Sequence, residues 1–412
     1  LKQNALGRVI QTSSDCNNSF MAPPQHTQNV ELRMRFTIVT ETYPPEVNGV
    51  ALTVQGLETG LRSRGHEVTV VRPRQDSDSG ASEALLVRGA SLTRYPGLKF
   101  GLPATRKLLR HWGQSAPDAL YVATEGPLGW SALRAARKLG IPAATGFHTR
   151  FDEYMRDYGA AFLQQTALRW MRRFHNSAGA TLVPTRELAE FLEQSGFHRV
   201  VRLARAVDTS HFSPRKRDNV LRTSWGMSED GLVAIYVGRI AAEKNLELAV
   251  RSFREIQARH PTARFVWVGD GPMREKLANE NPDFVFCGVQ RGEALARHFA
   301  SGDLFLFPSH SETFGNVTLE AMASGVPTVA FNYGAAKEHL HDTVHGAAVD
   351  NDEDFIRAAV NLAGAPALRR SMGLAASEAM QSLRPEQVAA DFDDLLTGLV
   401  VQRRSHASAA AA

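Results

Sequence analysis

The chain has 412 residues, 43% hydrophobic and 22% charged, with a formal net charge of +4. This is the composition of an ordinary globular protein with room for two domains. No run approaches the eighteen apolar residues of a membrane-spanning helix. The two cysteines, Cys16 and Cys287, give neither a disulfide framework nor metal-ligand spacing, and suit a reducing cytoplasm. The charge is unevenly spread. Residues 34–205 carry 23 Lys and Arg against 15 Asp and Glu, whereas residues 206–412 carry 21 against 26. A basic front half on an acidic back half suits a front half that meets an anionic partner.

Residues 1–33 are polar and aperiodic, with no charged start leading into an apolar core, so they do not read as a signal peptide. They predict a disordered extension or a misplaced start, because Met34 directly precedes the first strand. Residues 35–40 predict that strand, 50–64 a helix and 68–71 a second strand. This is the βαβ unit of a doubly wound parallel sheet, whose ligands bind at the carboxyl ends of the strands. The loop 41–50 lies at such an end, and Gly49 lets a backbone approach a ligand there. Residues 101–112 and 169–175 are basic and aromatic. Such stretches can lie on anionic membranes; the plainer reading is a core-facing helix with a solvated cationic side. Strands at 119–123, 142–147 and 180–184 continue the alternation, with His148 just past the second of them. Residues 204–218 break the pattern and mark a boundary.

The second half restarts it. Strands are predicted at 232–237, 263–268, 284–287, 304–308 and 327–331. Helices are predicted at 246–258, which Asn245 caps, at 273–279, 293–300 and 352–364, and at 385–402. Two loops carry chemistry. Gly238-Arg239…Lys244 sets two cations after a strand, one able to grip a diphosphate bidentately and one able to neutralise it as a point charge. The second is the stretch 309–327. Glu312 lies in its loop, and Glu320, eight residues on, about two turns into the helix that follows. The backbone N–H groups around Phe314, Gly315 and Asn316 sit at the helix start, where a phosphate is favoured. Two sugar-grasping carboxylates beside an anion site suggest a nucleotide sugar. There is no Asp-x-Asp metal box after a strand, no Walker loop and no Gly-x-Gly-x-x-Gly fingerprint, which disfavours kinase and dehydrogenase readings.

Together these stretches resemble glycosyltransferase family 4, the retaining enzymes with the GT-B fold. The match runs from about Met34 to about Gln402. It is carried by Tyr43-Pro-Pro-Glu-Val-Asn-Gly-Val50, Gly146-Phe-His-Thr149, Gly238-Arg-Ile-Ala-Ala-Glu-Lys-Asn-Leu246, Val268-Gly-Asp-Gly-Pro272 and the pair Glu312 and Glu320. The branch it looks most like is the bacterial GDP-mannose-dependent α-mannosyltransferases and related glycolipid-forming enzymes. The resemblance implies an α/β fold of two Rossmann-like doubly wound domains facing across a cleft, with a C-terminal helix packing back toward the N-terminal domain. The expected divisions are a disordered extension at 1–33, an acceptor domain at 34–205, a linker at 206–218, a nucleotide-sugar domain at 219–384, a helix at 385–402 and a disordered tail at 403–412.

The resemblance also implies roles. Arg239 and Lys244 would bind the donor diphosphate, Glu312 the sugar hydroxyls and Glu320 the ribose hydroxyls. The Phe314–Val317 backbone, through Phe314, Gly315, Asn316 and Val317, would face phosphate and sugar. Asn48 and Gly49 would cover the diphosphate and the acceptor, His148 would stand beside the transferred sugar, and Val289 near the base. No cofactor or metal is expected. The implied reaction is transfer of a hexose, mannose first, to a lipid or glycolipid acceptor by a cytoplasmic enzyme peripheral on the inner face of the membrane. The alternatives are a UDP-sugar-dependent glucosyl, glucuronosyl or sulfoquinovosyl transferase to diacylglycerol, a UDP-sugar 2-epimerase-like enzyme, and a non-catalytic nucleotide-sugar-binding protein. Three positions depart from the family pattern. They are Asn48-Gly49 for a glycine pair, Arg205-Ala-Val-Asp208 for Asn-Gly-Val-Asp, and Gly334-Ala335 for Gly-Gly.

Overall fold

A computed structural model describes residues 33–46, 49–76, 78, 84–91, 99–148, 164–310 and 314–411. The first half supplies β1 (Arg35–Val39), α1 (Gly49–Ser63), β2 (Glu67–Pro73), β3 (Leu85–Val87), β4 (Gly89–Ser91), β5 (Lys99–Gly101), α2 (Thr105–Gln114), β6 (Ala119–Val122), α3 (Pro127–Leu139), β7 (Ala143–Gly146), α4 (Gln164–His175), β8 (Ala180–Val183), α5 (Arg186–Gln194) and β9 (Val200–Arg202). Seven of its strands form a parallel sheet in the order β3-β2-β1-β6-β7-β8-β9, and β4 and β5 pair antiparallel beside it. In the central strand β1, Ile38 stands opposite Val70 on one side and Tyr121 on the other. Central strands buried on both faces must be apolar throughout. Phe36, Ile38, Leu120 and Val122 are accordingly at most 1% exposed.

The second half supplies α6 (Asn219–Ser224), β10 (Val233–Val237), α7 (Leu246–Arg259), β11 (Arg264–Val268), α8 (Arg274–Glu280), β12 (Val285–Gly288), α9 (Gly292–Ala300), β13 (Leu304–Phe307), α10 (Asn316–Ala323), β14 (Thr328–Phe331), α11 (Gly334–His339), β15 (Gly346–Val349), α12 (Asp352–Ala363), α13 (Pro366–Ala379) and α14 (Pro385–Ala411). Its six strands are also parallel, in the order β12-β11-β10-β13-β14-β15. The strand order reverses between β10 and β13, so the loops after these two strands open into one crevice. This is the topological reason that Arg239 and Glu320 share a sheet edge.

The last helix returns to the first sheet. Val388, Phe392, Leu396 and Val400, spaced one turn apart, are buried in the same core as Ile38, Leu57 and Tyr121. A Cβ on Gly60 of α1 would lie 2.4 Å from the Cβ of Ala389, so the two helices cross at close range. Asp393 accepts from Arg64 Nε at 2.7 Å and from His66 Nε2 at 2.9 Å. The two halves also meet where Lys337 on α11 pairs with Glu187 on α5 at 2.8 Å, and where Glu338 accepts from the Arg186 N–H at 2.8 Å and from Arg202.

Several expectations change. The helix predicted from Gly101 starts at Thr105, because residues 99–101 pair with β4. Its apolar side, Leu108 and Trp112, is buried in the core, so α2 offers only its cationic side to the surroundings. Asn245 does not cap α7 with its side chain. It is left-handed (φ 52) and joins the short 3-10 turn Ala242–Lys244 to the helix. The tail expected to be disordered from residue 403 continues α14 to Ala411, since this alanine-rich stretch has no helix breaker. The extension at 1–33 falls outside the described residues except for Arg33.

Arg222 fastens the start of the second sheet. It is fully buried, and donates to Ser301 O at 2.7 Å, Ser228 O at 3.0 Å and Asp303 Oδ2 at 3.0 Å. That same Oδ2 accepts from the N–H of Val233 at 2.8 Å. Arg222→Met strands these acceptors and leaves Asp303 without its buried partner. The expected loss is about 3–5 kcal/mol, read as a lowered urea midpoint of the second domain.

Candidate active site

The loop after β10 is built on glycines of its neighbour. Gly238 N–H donates to Val268 O at 3.0 Å, Ile240 N–H to Asp270 O at 2.9 Å, and Met273 N–H to Ile240 O at 3.0 Å. A Cβ on Gly269 would lie 1.9 Å from Gly238 O, and one on Gly271 2.3 Å from Ile240 O. Gly269-Asp-Gly-Pro272 is therefore a cradle that seats the cation loop. Arg239 projects from it, two-thirds exposed, and meets Glu243 at 3.3 Å. Its carbonyl is held by the Tyr236 hydroxyl at 2.9 Å. Lys244 is partly buried at the end of the short 3-10 turn. On the far side, Gly269 N–H donates to Gly288 O at 2.8 Å, and Val289, exposed, is the next residue. Arg239 and Lys244, after β10, and Val289, after β12, thus lie along one carboxyl edge of the sheet, on either side of β11.

The loop after β13 enters α10 through Gly315, which is left-handed at φ 89, a backbone that strains any residue with a Cβ. Phe314 is buried, and its carbonyl accepts from Ala335 N–H at 2.6 Å. Asn316 opens the helix, followed by Val317, and Glu320 lies one turn on. Gly49, at the start of α1 in the other half, faces Asn316. A Cβ there would be 3.8 Å from Asn316 Nδ2, so the halves are in near contact at this point. Asn48 and Glu312 lie outside the described residues.

Below this meeting point is a cavity of about 240 Å³. It is bounded by α1, the end of β8, the linker 203–208, α10 and the start of α14, and is lined mainly by apolar side chains. Glu320, Asn316 and His148 open on it, together with Tyr121 and Arg205. Glu320 has no hydrogen bond to its carboxylate among the described residues. Burial without a compensating partner pushes its pKa up to about 7.

His148 is nearly fully buried, and both its ring nitrogens are taken. Arg205 Nη2 lies 2.6 Å from Nδ1, and the Tyr121 hydroxyl 2.8 Å from Nε2. A guanidinium can only donate, so Nδ1 accepts and the ring proton sits on Nε2, donated to the Tyr121 oxygen. Burial, then the Arg205 and His175 charges, hold the ring well below its usual pKa, so it is neutral. His148 therefore lines the cavity as a neutral ring whose nitrogens are committed to protein groups. Gly146 makes room for this arrangement, since a Cβ there would fall 2.2 Å from the Tyr121 hydroxyl. Tyr121 and Arg205 were not among the sequence-derived site residues. Tyr121 shows only as a tyrosine in an apolar strand; Arg205 interrupts the apolar run Leu203-Ala-Arg-Ala-Val207 and stands where the family pattern has Asn, a departure with no role attached to it.

Sequence profiles of known families agree with this layout. Residues 47–211 match Glycosyltransferase Family 4, and residues 231–365 match Glycosyl transferases group 1. The chain belongs to glycosyltransferase family 4. This family 4 chain is 37% identical over 332 residues to a GDP-mannose-dependent alpha-mannosyltransferase of Mycolicibacterium smegmatis, covering 77% of this chain and 85% of that protein. It is 30% identical to a sulfoquinovosyl transferase of Arabidopsis thaliana over 82% of this chain and 67% of that one. In fold it superposes on sucrose-phosphate synthase from Thermosynechococcus elongatus with a TM-score of 0.72 at 18% identity, over 90% of this chain and all of that one. The family 4 enzyme thus has the GT-B fold and is a hexosyltransferase using a nucleotide-sugar donor. Among the described residues no helix is long and apolar enough to cross a membrane.

Proposed function

We propose that this enzyme transfers mannose from GDP-mannose to a lipid or glycolipid acceptor, with retention of configuration and without a metal. The observation that carries this reading is the cleft. Glu320, a carboxylate without a hydrogen-bond partner among the described residues, and the start of α10 stand on one side. The start of α1 stands on the other, and the Arg239 and Lys244 cations lie along the same sheet edge. Glu320 would take the ribose diol, Arg239 and Lys244 the diphosphate, and Glu312 the sugar hydroxyls. The two cations would stabilise the departing diphosphate as its charge develops, the task a metal performs elsewhere. The acceptor hydroxyl would attack C1 from the face the diphosphate leaves, and its proton would pass to the departing phosphate oxygen.

Mannose and GDP are favoured by the higher identity to the mannosyltransferase. The second reading, a UDP-sugar-dependent transfer to diacylglycerol, rests on the 30% identity to the sulfoquinovosyl transferase. A thermal-shift screen of GDP- and UDP-sugars separates them. A true donor at about 100 times its dissociation constant adds roughly 2.7 kcal/mol. GDP-mannose is expected to give the largest shift. The largest shift from a UDP-sugar would move the assignment to the second reading, and no shift from any nucleotide sugar would contradict both.

A peripheral position on the inner face of the cytoplasmic membrane is part of the same proposal. It is supported by the exposed cations of α2 (Arg106, Lys107, Arg110), by Arg134 on α3, and by Arg169 and Arg173 flanking the 45%-exposed Trp170 on α4. Trp170 is braced by Trp130 at 5.8 Å between centroids. Replacing Arg169 and Arg173 by Gln should weaken binding to anionic vesicles by about 1 kcal/mol per residue at low salt. Unchanged sedimentation with such vesicles would place the contact on another face.

A further inference from the structure

We propose that Arg205 recognises an acidic group, a phosphate or a carboxylate, on the acceptor. Resting on the transferase reading above, this makes the part of the cavity lined by α1, the end of β8 and residues 203–207 the pocket of an acidic amphiphile, with Glu320 left to the donor. Arg205 is 8% exposed and lines the cavity. One of its terminal nitrogens, Nη2, is spent on His148 at 2.6 Å, and the other, Nη1, is buried with no hydrogen-bond partner among the described residues. Unpartnered buried donors are rare and call for a ligand, an ion or water.

Among the described residues no carboxylate is hydrogen-bonded to this cation. The side chain of Asp208, three residues on, is committed to its own turn, accepting from the Ser210 N–H at 3.0 Å, the Ser210 hydroxyl at 2.6 Å and the His211 N–H at 3.0 Å. Glu125 is bonded to His175 at 3.2 Å. Glu320 opens on the same cavity, but among the described residues it pairs with no cation, Arg205 included. A buried guanidinium without a counter-charge is destabilising, and an arriving anion with good hydrogen-bond geometry offsets that penalty. Burial already lowers its pKa from the ordinary arginine value, the direction expected of a cation held without an acid.

The place of Arg205 favours the acceptor over the donor. Arg239 and Lys244, the cations proposed for the diphosphate, follow β10 in the second sheet. Arg205 lies instead at the end of the first domain, bonded to His148 beyond β7. Around it Leu52, Leu57, Val183, Leu203 and Val388 make an apolar wall suited to the hydrocarbon part of an amphiphile.

The test compares matched short-chain pairs by titration calorimetry below their aggregation limits: dihexanoyl phosphatidic acid with dihexanoylglycerol, and hexyl glucuronide with hexyl glucoside. The wild-type protein should bind at least one acidic member about tenfold or more tighter than its neutral match, as a charge-assisted hydrogen bond from Nη1 provides. The pair that discriminates tells phosphate from carboxylate. Arg205→Gln should abolish the difference, and Arg205→Lys, which keeps the charge and guards against misfolding of the first variant, should retain part of it. Equal binding of both members of both pairs by the wild-type protein would overturn the proposal. So would an equal loss for acidic and neutral members in the variants, which marks a residue that only positions His148. Loss of GDP and UDP affinity with acid preference intact in Arg205→Gln would assign the guanidinium to the donor and also overturn it. Calorimetry needs no turnover, so acid preference without sugar transfer would sink the transferase reading alone. Transfer with no acid preference would sink this proposal alone.

Discussion

Arg239→Ala and Lys244→Ala are each expected to lower kcat/KM for sugar transfer by about 10²–10³-fold, the usual loss on removing a group that stabilises developing transition-state charge. The loss should fall on kcat as well as KM, because a departing diphosphate carries more charge than the bound donor. The fold should survive. Arg239 is largely exposed, and its ion pair to Glu243 at 3.3 Å is a surface pair of small worth. The loop itself is held by backbone bonds to the Gly269–Gly271 cradle, which neither substitution touches. Steady-state kinetics beside a thermal melt check both halves of this expectation. Retention of more than about a third of the wild-type kcat/KM in either variant would place the diphosphate elsewhere.

Glu320 has the second large effect, and it is linked to pH. Its pKa is about 7 in the folded protein against 4.5 for an ordinary glutamate, because burial disfavours the charged form. Between these values the folded protein keeps a proton that the unfolded chain has already released. Stability contributed by this site is therefore fully present below about pH 4.5, falls as pH rises toward 7, and is flat above. Glu320→Gln should remove that decline, seen as a difference between the two Tm–pH profiles; coincident slopes would show the carboxyl to be solvated. Donor binding should reverse the preference. A ribose diol donating two hydrogen bonds favours the carboxylate, so binding near pH 6.5 should release up to one proton, measurable by calorimetry in buffers of different ionisation enthalpy. Glu320→Ala should abolish that release and weaken nucleotide binding by roughly 10–100-fold, the worth of one or two hydrogen bonds to a charged group.

Much of this was legible in the sequence. Apolar runs bounded by glycine and proline marked the central strands, since a parallel strand buried on both faces must be apolar along its length. The return of the alternation after residue 218 marked the second sheet, and the placement of cations and carboxylates after strands marked its crevice. The edge elements were not legible. β3, β4, β5 and β9 are three residues long, too short for any period, and are defined by pairing with another strand rather than by their own pattern. α2 shows why an amphipathic pattern alone cannot locate a surface helix. Leu108 and Trp112 read equally well facing lipid or core, and only the fold buries them. The His148 network was hidden for a similar reason. Tyr121, His148 and Arg205 come from two strand ends and a linker, and their partnership depends on Gly146 leaving space where a side chain would stand. The same holds for Gly269 and Gly271, which look like turn glycines until the carbonyls of Gly238 and Ile240 are seen packed against them.

The central claim is that a nucleotide sugar lies between the Arg239–Lys244 loop and α10 and gives up its sugar across the cleft with retention. It is tested most directly by proton NMR of the lipid product formed from GDP-mannose and a membrane lipid extract. The predicted result is an α-linked mannosyl lipid from the α-configured donor. A β-linked product would contradict the claim, as would the absence of any lipid-linked sugar with every GDP- and UDP-sugar supplied.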